Sequence, residues 1–252
     1  MDAKAVADLN RKLERASPQE VLRWALDNLH PRVALASSFG AEDVVLIDMM
    51  VKLRPDARVF TLDTGRLPQE TYDVMDAVRE KYNLSVEVFY PKTDAVEAMV
   101  NEHGLNLFYR SVELRKMCCG VRKVEPLNRA LSGLDGWITG LRREQADTRG
   151  AVAKAELDAG HGNILKFNPL ADWTSDQVWA YIKRHSVPYN VLHDRGYPSL
   201  GCAPCTRAVK PGEHPRAGRW WWEEEAKKEC GLHYTETGSA KPARAAGKVA
   251  AR

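Results

Sequence analysis

No apolar run in this chain approaches the roughly 20 residues that a membrane-spanning helix needs, so a helical membrane anchor is excluded. Proline and glycine number only 13 and 17, too few for a fibrous or wholly disordered chain. The opening residues Met1-Asp2-Ala3-Lys4 lead into a charged helical pattern rather than the basic-then-apolar grammar of a signal peptide. The expectation from these absences is a cytoplasmic protein with no membrane partner. Charge of one sign is also scarce. The net +3 is carried by the stretch from Thr235 to Arg252, where Lys241, Arg244, Lys248 and Arg252 face only Glu236. Everything before that stretch is neutral overall, which leaves no large basic surface for nucleic acid. The basic tail has almost no large apolar side chain and is expected to be disordered.

Cysteine is scarce too, but its arrangement is informative. There are five: Cys118, Cys119, Cys202, Cys205 and Cys230. An odd number without a secretion signal argues against a disulfide scaffold. Two pairs, CC and CxxC, supply four thiolates, a set that holds either zinc or an iron–sulfur cluster. Adjacent cysteines are unusual around a single ion and favour the larger cluster, with zinc and no metal as the alternatives. Cys230, in Glu229-Cys230-Gly231-Leu232-His233, is either a reactive thiol near a mobile end or an inert surface cysteine.

The remainder of the chain alternates between two periods. Residues 4–29 carry apolar positions at helical spacing, with Ser17-Pro18 fitting an N-cap followed by proline. Val33-Ala34-Leu35-Ala36 reads as a buried strand that ends in Ser37-Ser38-Phe39-Gly40. A helix follows through Leu53, then a strand over Arg58 to Leu62, a loop Asp63-Thr64-Gly65-Arg66, and a helix over Pro68 to Tyr82. Ser85 to Tyr90 is a strand, Thr93 to His103 a helix, and Gly136 to Thr139 a strand. This alternation predicts βαβ units and a doubly wound, mostly parallel α/β sheet. Ligands then sit beyond the strand carboxyl ends, where Ser37–Gly40, Asp63–Arg66 and Gly140–Arg143 gather. The serine turn, at a helix N-terminus, suits a phosphate, although no GxxxxGK(S/T) loop is present.

After about residue 168 the grammar changes. Thr174-Ser175-Asp176-Gln177 opens a helix through His185 with a capping-box pattern. Ser186 to Trp222 is rich in Pro, Gly and Arg, too irregular to build its own core, and reads as a metal-stapled appendage. The expected division is 1–185 for the nucleotide-binding domain with N-terminal helices, 186–234 for a cluster-binding and catalytic-cysteine segment, and 235–252 for the tail. Basic residues crowd the cysteines, among them Lys123, Arg142, Arg143, Arg149, Arg207, Arg216 and Arg219, a set that fits a polyanionic ligand. Trp220-Trp221-Trp222 reads as packing rather than base stacking.

Taken together these motifs resemble the assimilatory adenylyl-sulfate reductases of the wider phosphoadenylyl-sulfate reductase family. The resemblance covers residues 33–235. It rests on Ser37-Ser38-Phe39-Gly40-Ala41-Glu42-Asp43, Thr61-Leu62-Asp63-Thr64-Gly65-Arg66, Cys118-Cys119-Gly120-Val121-Arg122-Lys123, Thr139-Gly140-Leu141-Arg142-Arg143, Gly201-Cys202-Ala203-Pro204-Cys205-Thr206-Arg207, Pro215-Arg216-Ala217-Gly218-Arg219-Trp220-Trp221-Trp222 and Glu229-Cys230-Gly231-Leu232-His233.

The resemblance implies an ATP-pyrophosphatase type of fold, with the serine turn as a modified phosphate loop. It implies one [4Fe-4S] cluster on Cys118, Cys119, Cys202 and Cys205, and Cys230 as the nucleophile. Substrate binding falls to Ser37, Ser38, Gly40 and Leu62 on the nucleotide, and to Lys123, Arg216, Arg219, Arg143 and His233 around the phosphosulfate. The implied reductant is thioredoxin or glutaredoxin, and the implied assembly a homo-oligomer. Members that use the 3′-phosphorylated substrate generally lack the paired cysteines, so their presence favours adenylyl sulfate. The alternatives are a 3′-phosphoadenylyl-sulfate reductase and a non-enzymatic iron–sulfur module that binds nucleotide.

Overall fold

A computed structural model describes residues 1–146 and 149–223. Two helices open the chain, α1 over Ala3–Leu13 and α2 over Pro18–Leu29. Ser17 caps α2 by accepting from the Glu20 amide while the Glu20 carboxylate accepts from the Ser17 amide. Pro18 supplies the fixed φ of the first turn. A reciprocal cap of this kind contributes about 1 kcal/mol.

Six strands form one sheet: β1 (Val33–Ala36), β2 (Arg58–Leu62), β3 (Val86–Phe89), β4 (Gly136–Ile138), β5 (Ala155–Asp158) and β6 (Ile164–Phe167). Their order is β3-β2-β1-β4-β6-β5, parallel throughout except for the β5–β6 pair at one edge. The chain moves outward from β1 through β2 to β3, then returns to lay β4 on the other side of β1. This reversal makes a switch point between β1 and β4, and the crevice above it is where such sheets take ligands.

Period-two alternation assigns the two faces. Val33 and Leu35 of β1, Val59 of β2 and Ile138 of β4 enter the large core with α1, α2, α3 (Ala41–Leu53) and α8 (Ser175–His185). Ala34, Phe60 and Trp137 point the other way, onto Leu127, Ala130 and Leu131 of α7 (Glu125–Leu131). Both faces are covered, which is why these strands read as nearly continuous apolar runs. The connecting helices α4 (Gln69–Tyr82) and α5 (Thr93–His103) end as sequence chemistry dictates, α4 on Asn83 in the left-handed region.

Two stretches have no counterpart in the sequence reading. The β5–β6 pair is charged and short, and Lys166 is buried because it pairs with Glu156 at 3.0 Å. The α6 helix (Val112–Cys119) runs through a five-residue π segment, Gly120–Val124, into α7. That wider turn shifts the helical phase between the paired cysteines and Lys123, so no single apolar period runs across it.

The segment after α8 packs onto the sheet domain with little regular structure of its own. Cys202, Cys205 and Trp220 join Met99, Leu107 and Phe108 in a small separate core. The Ala203 amide donates to the Arg66 carbonyl at 2.8 Å, tying the CxxC turn to the loop after β2. The Arg115–Glu223 pair is bidentate, at 2.9 and 2.7 Å, with both side chains buried. Arg115 also stacks on Trp220 at 4.8 Å. Among the described residues no helix is long and apolar enough to cross a membrane. The Cys230 and His233 assignments and the expected disordered tail lie outside the described residues.

Candidate functional site

A cavity of about 680 Å³ lies over the carboxyl ends of β1, β2 and β4. Its floor is the serine turn. Phe39 holds φ at 57° with its ring fully buried, so core packing maintains a backbone conformation that a bulky residue disfavours. The reversal leaves Ser37, Ser38 and Gly40 on the cavity wall. The Ser37 hydroxyl accepts from the Phe39 amide at 3.1 Å and keeps its own proton to donate. Gly40 starts α3 with no side-chain cap, leaving first-turn amides without intrahelical partners. Leu62, at the end of β2, lines the same space.

Cations ring this cavity. Lys123, Arg142, Arg149, Arg216 and Arg219 all reach its wall. Arg142 is largely neutralised by Glu42 and Glu144, each at 2.8 Å. Arg219 is buried, stacks on Trp220 at 4.8 Å and donates to the Leu200 carbonyl at 2.5 Å. Gly201 makes room for it, since a Cβ there would fall 2.3 Å from the guanidinium. Arg143 is not brought to the cavity. Its Nε donates to the Val152 carbonyl at 2.8 Å and its Nη2 meets Glu14 at 2.9 Å, behind the sheet edge. Arg149 stands on the wall instead, beside Gln145 at 2.5 Å. The Arg142-Arg143 doublet gives no signal for which arginine turns inward.

A second, smaller cavity adjoins the first. Cys118, Cys119, Cys202 and Cys205 all line it, and Lys123, Arg219 and Trp220 are walls common to both. The two cysteine pairs, more than 80 residues apart in the chain, therefore line one cavity. Burial pushes the Cys205 thiol up to about 12, helped by neighbouring Cys202 and Cys118. Burial also raises Cys118, against the opposing pull of Arg122, Arg66 and Lys123. The Cys202 sulfur lies 3.2 Å from the Thr64 hydroxyl, and buried Arg122 donates to the Thr64 carbonyl at 2.6 Å. Such a thiol set is held apart from water and resists ionisation until a cation offsets the crowding. Among the described residues no three His, Cys, Asp or Glu side chains form a group that could hold a metal ion.

Two further groups on the main cavity were given no role by the sequence, although Asp43 closes the serine-turn motif. Asp43 is buried and pushed up to about 6, chiefly by burial and against the pull of the Ser38 hydroxyl and amide. His193 has both ring nitrogens buried with no hydrogen-bond partner, and burial lowers its basicity. Neither residue type stands out in a sequence where Asp and His occur in many loops.

A doubly wound sheet with a cation-ringed cleft at its switch point defines an α/β protein built to hold an anionic nucleotide, here with a four-thiol pocket alongside. The chain belongs to the phosphoadenosine phosphosulfate reductase domain family, whose model matches residues 32–208. It is 53% identical over 228 residues to an adenosine 5′-phosphosulfate reductase of Burkholderia cepacia, covering 90% of each chain. It is 51% identical over 210 residues to an enzyme of the same name from Allochromatium vinosum, covering 83% of this chain and 82% of that one. Among solved structures it is similar to a phosphoadenylyl-sulfate reductase of Candida auris in a phosphate complex. There the TM-score is 0.71 at 32% identity, covering 83% of this chain and 98% of the other. An FMN adenylyltransferase of Candida glabrata, at 12% identity and a TM-score of 0.54, shares the fold.

Proposed function

We propose that this protein reduces adenylyl sulfate to sulfite and AMP in sulfate assimilation, through an S-sulfocysteine on Cys230. The observation that carries the reading is the common wall of Lys123, Arg219 and Trp220 between the nucleotide cavity and the four-cysteine pocket. A substrate whose nucleotide lies against Leu62 and the serine turn would place its phosphosulfate beside those cations.

The chemical obstacle is to bring a thiolate up to an anion. At 4 Å the repulsion is about 4 kcal/mol at an effective dielectric near 20. Lys123, Arg216 and Arg219 offset it and stabilise charge as it builds on the leaving phosphate. Arg149 adds a further cation from the β4 side. The Cys230 thiolate forms a bond to the sulfate sulfur as the S–O bond to the phosphate breaks, and that electron pair leaves on AMP. His233, three residues on, helps hold the thiolate. A dithiol reductant, thioredoxin or glutaredoxin, then attacks the Cys230 sulfur and releases sulfite, and its second thiol resolves the mixed disulfide.

Cys118, Cys119, Cys202 and Cys205 would hold one [4Fe-4S] cluster. The fit rests on the donor set, two pairs of cysteine sulfurs lining one small cavity, the ligand type that such clusters take. Bound there, the cluster would supply a local field and a staple for the segment after residue 186, rather than electrons for the substrate. We place the enzyme in the cytoplasm, as a homo-oligomer, where reducing partners keep Cys230 a thiol.

The test is sulfite release by the cluster-loaded protein with thioredoxin, comparing adenylyl sulfate with its 3′-phosphorylated form. A kcat/KM at least about tenfold higher for adenylyl sulfate is the expected outcome. Preference for the 3′-phosphorylated substrate would move the protein to the activity named for the Candida auris relative.

A further inference from the structure

The serine turn spends donors on a carboxylate of its own chain. The Ser38 amide donates to Asp43 Oδ2 at 2.6 Å and the Ser38 hydroxyl to the same oxygen at 2.8 Å. These are groups that a phosphate at such a turn would otherwise take up. Asp43 has little room to yield them, since it is only 7% exposed. Behind it stands Gly140, where a Cβ would fall 2.4 Å from Asp43 Oδ1 and 2.9 Å from Glu42 Cβ. The carboxylate is seated against a bare stretch of backbone, and it fits there because Gly140 has no side chain.

We propose that Asp43, seated against Gly140, is the positioning residue of the phosphate turn: it holds Ser38 inward, so that the Ser37 hydroxyl is the serine that meets the nucleotide phosphate. This rests on the reading that the cavity takes adenylyl sulfate. It divides the labour of two adjacent serines that the sequence presents as equivalent. Ser37 keeps a free O–H on the cavity wall, whereas both donors of Ser38 are already engaged. First-turn amides of α3 complete the phosphate seat. Gly140 takes part only by what it lacks.

The test uses the full-length, cluster-loaded protein with AMP as the binding probe, followed by KM and kcat for adenylyl sulfate. The variants are Ser37→Ala, Ser38→Ala, Asp43→Ala, Gly140→Ala and the Asp43→Ala/Gly140→Ala double. Ser37→Ala should weaken AMP binding about tenfold or more, and Ser38→Ala by less than about threefold. Asp43→Ala and Gly140→Ala should each raise KM about tenfold while kcat changes less than about threefold. The double should bind AMP little worse than Asp43→Ala alone, because the side chain that Gly140→Ala displaces is already gone. Should Asp43→Ala fail to fold, the two serine variants decide, being small changes on a cavity wall. Ser38→Ala weaker than Ser37→Ala, Asp43→Ala binding AMP like wild type, or full additivity in the double would each overturn the proposal. Wild-type protein that binds neither AMP nor adenylyl sulfate would instead overturn the substrate reading, and this device with it.

Discussion

The two sides of the cleft are held together by different physics. The nucleotide side is a mostly parallel sheet covered on both faces, its central strands largely buried and its helices α2 and α8 capped by their own sequence. Among the described residues the cysteine side has a core of six buried residues, two of them cysteines. It substitutes directional contacts: the Arg115–Glu223 pair, arginines stacked on Trp220, and single hydrogen bonds from the CxxC turn to the β2 loop. A core built of area tolerates loss of one contact, whereas a core built of partners loses a whole anchor with each.

The largest expected effect therefore falls on the cysteine side. Glu223→Ala removes the bidentate carboxylate from the buried Arg115 guanidinium, and should cost about 3 kcal/mol. Thermal unfolding with AMP titration would show a lowered midpoint while AMP still binds the surviving sheet. Equal loss of both would show that the two regions unfold as one.

On the nucleotide side the expected response is to pH. Asp43 sits at about 6 in the folded protein, above its ordinary 3.8, so its stabilising contribution is fullest below pH 4 and is lost as pH rises through 6. The change is on the order of 3 kcal/mol, from a shift of about two units. Denaturant titrations between pH 4 and 7 should show this slope, and Asp43→Asn should flatten it. A slope unchanged in Asp43→Asn would assign it to another group.

Smaller effects separate the arginines. Arg149→Ala should raise KM for adenylyl sulfate about tenfold or more, and Arg143→Ala less than about threefold, because Arg143 serves Glu14 and a carbonyl. Smallest is Tyr181→Phe. It removes one of the hydroxyls that, with Lys52, draw Asp48 below its ordinary range although burial alone would raise it. That loss should cost about 1 kcal/mol in unfolding free energy.

The same contrast decides what can be read without coordinates. Val33–Ala36, Arg58–Leu62 and the Ser17-Pro18 and Thr174-to-Gln177 caps announce themselves because period and capping are local properties of the chain. The convergence of Cys118-Cys119 with Cys202 and Cys205 follows from motif content and is found in one pocket. The β5–β6 pair is hidden because Lys166 becomes buriable through Glu156 on the neighbouring strand and the Trp137 ring, partners supplied by other strands. The π segment hides α6 and α7 by breaking their phase. The exchange of Arg143 for Arg149 at the cavity, and the capture of Ser38 by Asp43, depend on which way a side chain turns in three dimensions. Short-range chemistry is legible, and partner choice across the fold is not.

The measurement that reaches the central claim most directly is the intact mass of anaerobically purified protein mixed with adenylyl sulfate, with no reductant present. The account predicts a gain of one sulfo group, mapped to Cys230 by peptide analysis and removed by thioredoxin with release of sulfite. An unmodified Cys230 in protein that carries its cluster and binds the substrate would contradict it.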